Sequence, residues 1–184
     1  VALCIMDVSG HGAVTGVFAL QAKNLLLAAL RQRLDPGEAL GWLAATLGDT
    51  GDLFLTTVLV YLDPVSGHCR YANAGHPPPL VAGGRRLRQL NPTGPLLGPM
   101  PGTWLTETTD LAPGEVLVAY TDGVTEARND RRAEFGTERL EPLVRGHAVL
   151  GPQALVDACV DAVRDFSNGR IADDLTLLAV SRHA

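Results

Sequence analysis

The chain has 184 residues, enough for one domain with a proper core, and 46% of them are hydrophobic, which excludes a disordered composition. Only 5% are aromatic, so the core must be built from Leu, Val and Ala, and nothing suggests a stacking platform for nucleic acid. The formal net charge of −5 argues against holding a phosphate backbone on a basic face.

Val1 to Val8 is a short apolar run and reads as a buried strand. The chain opens inside this run without an initiator Met, so residues belonging to the fold are expected before Val1. Ser9-Gly10-His11-Gly12 follows as a tight turn, whose glycines suit a sharp passage from strand into helix. A phosphate cradle at a helix N-terminus is the other reading of those glycines. Ala13 to Arg31 is a long apolar helix, with leucines and alanines spread round the circumference, and is expected to be largely buried. No apolar stretch is read as approaching a membrane span, and the start does not resemble a signal peptide.

Asp35-Pro36-Gly37-Glu38 starts a second helix, with Asp35 as cap, Pro36 at the first helical position and Glu38 closing a capping box. Leu40, Leu43, Ala44 and Leu47 mark its apolar face. The pattern then changes to strands: Leu55 to Leu62, a turn at Asp63-Pro64-Val65-Ser66-Gly67, and His68 to Ala72 as the hairpin partner. Gly75-His76-Pro77-Pro78-Pro79 interrupts the pairing. Short strands are expected at Leu80–Ala82, Arg86–Leu90 and Trp104–Thr109, with a Pro/Gly loop from Gly94 to Gly102. Glu115 to Thr121 is a strongly apolar strand ending at Asp122-Gly123. Helices are expected near Thr137–Arg145, where Pro142 is unfavourable, and at Pro152–Phe166, and Asp174 to Ser181 closes the chain as a strand.

This order of strand, two helices, a block of hairpin strands, two helices and strand implies antiparallel sheets with one helix pair on each side. It predicts a single α+β domain and excludes a βαβ nucleotide-binding fold. Cys4, Cys69 and Cys159 are odd in number and scattered, so neither a disulfide framework nor a zinc site is expected, and a reducing cytoplasm fits. Arg85-Arg86 with Arg88, and Arg131-Arg132, read as solvated loops, or else as contacts for a phosphorylated or acidic partner. His68, His147 and His183 read as structural or exposed.

Asp7, Asp122 and Asp173 stand out because each ends or borders an apolar strand. Strand ends converge at the rim of a sheet, where gathered carboxylates repel unless cations neutralise them. Short, hard oxygen ligands suit Mg²⁺ or Mn²⁺, and two such ions can activate a water and clamp a phosphoryl group. Taken singly, Asp122-Gly123 is equally a hairpin turn, Asp7 the start of an Asx turn, and Asp173-Asp174 a solvated loop.

Taken in order, Asp7-Val8-Ser9-Gly10-His11-Gly12, Asn73-Ala74-Gly75-His76-Pro77-Pro78, Tyr120-Thr121-Asp122-Gly123-Val124-Thr125-Glu126 and Ala172-Asp173-Asp174-Leu175-Thr176 form a four-part pattern. It resembles the PPM-type metal-dependent serine/threonine phosphatases, in the bacterial branch typified by stage II sporulation protein E and the phosphatases that control stress sigma factors. The resemblance implies a four-layer α-β-β-α sandwich of two antiparallel sheets, here without the N-terminal part of the fold. It implies two Mn²⁺ or Mg²⁺ ions, with Asp7 bridging both, the Val8 carbonyl as a further ligand, and Asp122 and Asp173 as ligands, Asp174 ranking lower beside Asp173. It implies hydrolysis of phosphoserine or phosphothreonine by activated water, without a phosphoenzyme. His11 would protonate the leaving oxygen or position the substrate, and His76 has no assigned role beyond its turn.

The implied partners are a phosphorylated anti-anti-sigma protein as substrate and an upstream sensor or dimerisation segment of the parent chain. A homodimer is compatible with the latter, and the helices from Ala13 to Gly48 would be the regulatory switch. The family's upstream Gly-Asp motif has no match here. That motivates the alternative of a catalytically inactive, partner-binding phosphatase-like module. A dinuclear phosphodiesterase acting on nucleotides would need a base-binding signature that the sequence does not carry.

Overall fold

A computed structural model describes residues 1–84 and 86–182. In chain order the elements are β1 (Ala2–Val8), α1 (Ala13–Arg31), α2 (Pro36–Leu47), β2 (Leu55–Leu62), β3 (His68–Ala74), β4 (Leu80–Gly83), β5 (Arg86–Gln89), β6 (Glu107–Asp110), β7 (Val116–Tyr120), α3 (Asp122–Thr125), α4 (Thr137–His147), α5 (Pro152–Phe166) and β8 (Leu177–Ser181). They fall into two compact units, one of Val1–His76 with Asn91–Asp110, the other of Pro77–Leu90 with the chain from Leu111 onwards.

The first unit holds an antiparallel sheet of order β1-β2-β3-β6. Alternation along the strands sorts its side chains to two faces. Cys4, Met6 and Val8 of β1, Leu55, Leu59 and Tyr61 of β2, and Ala72 and Ala74 of β3 pack with Phe18, Ala22 and Leu26 of α1 and with Leu40 and Leu43 of α2. The capping box forms at the start of α2, where the Asp35 N–H donates to Glu38 Oε2 at 3.1 Å. The β2–β3 turn is closed by Asp63, whose carboxylate accepts the Val65 N–H at 2.9 Å. That backbone bond, with the Ser66 side chain, holds the Asp63 carboxyl below its ordinary pKa.

Helix α1 departs from expectation. Only Phe18, Ala22, Leu26 and Ala29 are buried, while Val14, Val17 and Leu20 are 73%, 67% and 56% exposed. The helix packs along one stripe, and its apolar circumference is wider than the face the sheet and α2 use. Its 19 residues are also long and apolar enough, by length and composition, to cross a membrane, which corrects the expectation that no stretch approaches that length. Strand β6 begins three residues later than expected. Trp104 is held out of the ladder, its indole N–H donating to the Pro95 carbonyl at 2.6 Å.

The second unit holds an antiparallel sheet of order β5-β4-β7-β8. One face, with Leu80, Ala82, Val116, Val118 and Tyr120, packs on Leu140 and Val144 of α4 and Leu155, Cys159 and Val163 of α5. Phe135 and Phe166 meet edge to face at 5.4 Å. Pro142 lies inside α4, just past the first turn, where its missing N–H removes one intrahelical bond. Arg86 and Arg88 lie on β5, and Arg88 grips Glu115 with two bonds of 2.7 and 2.8 Å. For these two residues the solvated-loop reading is therefore replaced by a strand, and for Arg88 by an ion pair as well. Arg131 and Arg132 do lie exposed in a tight turn organised by Asn129. Arg85 and His183 fall outside the described residues.

The fold class is thus α+β, with two four-stranded antiparallel sheets, each backed by its own helix pair. None of the three cysteines forms a disulfide.

Candidate metal centre

Asp7 owes its position to the register of β1 on β2. Cys4, Met6 and Val8 point to the helices, so Ile5 and Asp7 take the opposite face. Asp7 lies directly across the ladder from Thr56, as Ile5 does from Val58, so the two side chains of each pair share that face. The Thr56 hydroxyl is 2.9 Å from Nδ1 of His76. His76 is only 1% exposed. Its backbone is bracketed by Asn73, whose side-chain oxygen accepts the His76 N–H at 2.8 Å and whose amide donates to the His76 carbonyl at 3.1 Å. Gly75 makes the turn with a φ of 66° that side-chain-bearing residues rarely adopt. The proline-rich motif therefore does more than break a strand: it delivers a buried imidazole to the residue opposite Asp7.

Beyond Val8, Gly10 and Gly12 have φ of 85° and 96°, and Gly12 precedes the first residue of α1. Those values satisfy the turn reading of the glycines. His11, between them, is exposed.

In the second unit, Asp122 does not sit in a hairpin. It opens the short helix α3, with Thr121 before it in an extended conformation. Thr121 binds this turn to the segment carrying Asp173. Its hydroxyl donates to the Asp174 carbonyl at 2.7 Å and accepts the Thr176 N–H at 3.0 Å, while its own N–H donates to the Thr176 carbonyl at 3.1 Å. The hydroxyl takes over a place in the β7–β8 ladder. This is why β8 begins at Leu177 and not at Asp174, leaving Asp173 and Asp174 free of strand geometry. Gly123 lets the two segments touch, because a Cβ there would stand 2.5 Å from the Asp174 carbonyl oxygen. Asp173 is exposed, and its carboxylate accepts the Asp174 N–H at 2.8 Å.

The structure thus brings the Asp122 and Asp173 segments together within one unit, and places Asp7 and Val8 in the other. Among the described residues no group of three His, Cys, Asp or Glu side chains is gathered in a metal-binding arrangement. The donor set is nevertheless of the right chemistry for Mg²⁺ or Mn²⁺. These ions take hard oxygens, use one or two carboxylates and keep several waters, so a full protein cage is not required. Asp7, Val8 and Asp122 are partly exposed, and Asp173 is exposed, which leaves room for that water. Sequence reasoning missed Thr56 and Thr121. The signal for Thr121 was its place inside a quoted motif; Thr56 had none beyond a Thr-rich strand.

Sheets of these orders with these helix pairs make an α+β fold that matches solved PP2C domains. The SiaA-PP2C domain of Pseudomonas aeruginosa superposes with a TM-score of 0.87 at 20% identity, over 98% of this chain and 74% of that one. The RsbU and RsbW domains of Rv1364c from Mycobacterium tuberculosis give a TM-score of 0.79 at 26% identity, over 100% of this chain and 53% of that one. The protein IcfG of Synechocystis sp. is 31% identical over 144 residues, which is 77% of this chain. The chain spans 23% of IcfG's length. Residues 1–183 match the stage II sporulation protein E (SpoIIE) family, and the chain belongs to that family.

Proposed function

We propose that this chain is a protein serine/threonine phosphatase domain that hydrolyses phosphoserine or phosphothreonine with two Mn²⁺ or Mg²⁺ ions. The observation that carries the reading is the Thr121 lock, which fixes Asp122 beside the Asp173 segment where two paired strands end. Asp7 with the Val8 carbonyl, and Asp122 with Asp173, would hold the ions. Bound divalent ions supply an activated water and neutralise phosphoryl charge during in-line displacement.

The chain's own groups fit that division of labour. Burial pushes the Cys159 thiol up to about 11 and also raises Cys4, and Cys69 is buried, so no cysteine is primed as a nucleophile. His11, exposed on the glycine turn next to the Asp7 segment, is assigned to protonate the leaving serine oxygen. The family match over residues 1–183 supports reading the two units as one working domain.

The proposed substrate is a phosphorylated anti-anti-sigma protein, and the proposed site of action is the cytoplasm. Helices α1 and α2 are proposed as the switch on which an upstream sensor or dimerisation segment acts. The apolar residues that α1 leaves exposed support this.

A second reading, a partner-binding module without catalysis, is favoured by the lack of a three-ligand cluster among the described residues. Release of inorganic phosphate from a phosphorylated anti-anti-sigma partner, followed against Mn²⁺ concentration, separates the two. Phosphate release that saturates with Mn²⁺, and that Asp122→Asn abolishes without changing the unfolding transition, is the expected result. Full Mn²⁺-dependent turnover by Asp122→Asn refutes the ligand assignment. The absence of both turnover and Mn²⁺ binding in the parent chain establishes the binding module.

A further inference from the structure

We infer that Thr56 and His76 form a positioning pair for Asp7, so that the Asn73-Ala74-Gly75-His76 motif acts on the metal centre through Asp7. The inference rests on the proposed role of Asp7 as a metal ligand. It uses four observations within one unit.

Thr56 stands directly across the β1–β2 ladder from Asp7 on the face turned away from the helices. In an antiparallel pair such residues have Cβ atoms about 5 Å apart, close enough for a hydroxyl to set the neighbouring carboxylate's orientation. The Thr56 hydroxyl is in turn engaged by His76 Nδ1 at 2.9 Å. The imidazole is itself held: His76 is 1% exposed, and Asn73, fully buried, grips both its N–H and its carbonyl. A β-branched side chain has few χ1 states, so fixing the hydroxyl fixes the whole Thr56 side chain beside Asp7.

A solvated turn would not need a buried imidazole, nor a buried Asn holding it at two points. The arrangement has the form of an outer-shell support, in which a rigid partner orients a carboxylate ligand so that it need not be ordered when the cation arrives. Losing such partners typically weakens metal affinity or activity about 10–100-fold. Thr56 and His76 are thus positioning residues, acting through Asp7 and not on the substrate.

The test compares wild type, Thr56→Val, Thr56→Ser and Asp7→Asn in the chain as it stands. Mn²⁺ affinity is read from the free-ion electron paramagnetic resonance signal, and thermal unfolding without metal confirms that each variant is folded. Thr56→Val keeps the β-branch and removes only the hydroxyl, so it should fold. Its Mn²⁺ affinity should fall about 10-fold or more, and Thr56→Ser should restore most of it. With phosphoprotein substrate, the Mn²⁺ demand of Thr56→Val should rise while the substrate KM stays put. Wild-type Mn²⁺ affinity in Thr56→Val, alongside a clear loss in Asp7→Asn, overturns the positioning role and leaves the metal assignment standing. Equal losses in Thr56→Val and Thr56→Ser also overturn it, since the hydroxyl would then not be the cause. Wild-type affinity in Asp7→Asn itself removes the metal assignment and the positioning role together.

Discussion

The imidazole of His76 meets the hydroxyl of Thr56 at 2.9 Å in a part of the first unit where His76 is almost wholly shielded from water. Because the ring is buried, removing it leaves a cavity in the packed interior as well as taking a partner from the partly buried Thr56 hydroxyl. His76→Ala should therefore cost about 3 kcal/mol, combining the lost partner of Thr56 with the cavity left by the ring. Urea unfolding of both proteins measures this. A loss under about 0.5 kcal/mol would mean the ring is not packed as described.

Thr121 carries three hydrogen bonds to the strand-end segment, two of them through its hydroxyl. Thr121→Val keeps the shape but strands the Thr176 N–H and the Asp174 carbonyl. The expected cost is about 2 kcal/mol, with most of it regained in Thr121→Ser. The same change should raise the Mn²⁺ concentration needed for phosphate release, because the Asp173 segment loses its tether. Stability and metal demand that both stay at wild-type values in Thr121→Val would show that the two segments are held by something else.

How much of this was legible in the sequence depends on which force set each feature. The bounds of α1, α2, β2 and α5 follow from apolar runs closed by glycine turns, by the Asp35 capping box and by Pro152 at a first helical position, all local signals. The burial of α1 falls short of the expectation from sequence because composition gives how much of a helix is apolar, not how much of it a neighbour covers. The starts of β6 and β8 shifted because Trp104 and Thr121 make bonds to distant residues, Pro95 and the Asp174–Thr176 segment. No local pattern announces these. Of the candidate site, Asp7, Asp122 and Asp173 were visible as acids at strand ends. Thr56 became visible only once the register placed it across from Asp7.

Glu115 offers a pH test away from the candidate centre. The Arg88 guanidinium, bonded to it at 2.7 and 2.8 Å, holds its carboxyl below the ordinary carboxylate value against the opposing effect of burial. A pKa lowered by folding stabilises the protein at every pH above the unfolded value, near 4.3 for Glu. That stabilisation disappears as pH falls through the lower folded value. Arg88 is 37% exposed, so solvent screens the pair and about 1 kcal/mol is the appropriate scale. Wild type should exceed Glu115→Gln in stability by about that amount at pH 6, and the gap should close in stronger acid. A gap that widens on acidification would contradict the sign of the shift.

Gly123 gives the sharpest steric prediction. It is buried and lies in the first turn of α3, immediately after Asp122, where its backbone conformation is ordinary and suits any residue. What requires glycine is the neighbour: an added Cβ would stand 2.5 Å from the Asp174 carbonyl oxygen and 3.0 Å from its carbon. Both obstacles are backbone, so no side chain can swing aside. Gly123→Ala must push the Asp173–Asp174 segment away from Asp122, at a cost of about 1–3 kcal/mol. Helix propensity acts the other way, favouring Ala by up to about 1 kcal/mol, so the net loss of stability should lie between about 0 and 3 kcal/mol. The displacement should be felt mainly where Asp122 and Asp173 are meant to act together. The expected outcome is a protein that still folds, with an unfolding midpoint at or below the wild-type one, yet needs at least about 10-fold more Mn²⁺ for phosphate release. An unchanged Mn²⁺ requirement in Gly123→Ala would mean that the close approach of the two segments does not matter to the metal centre.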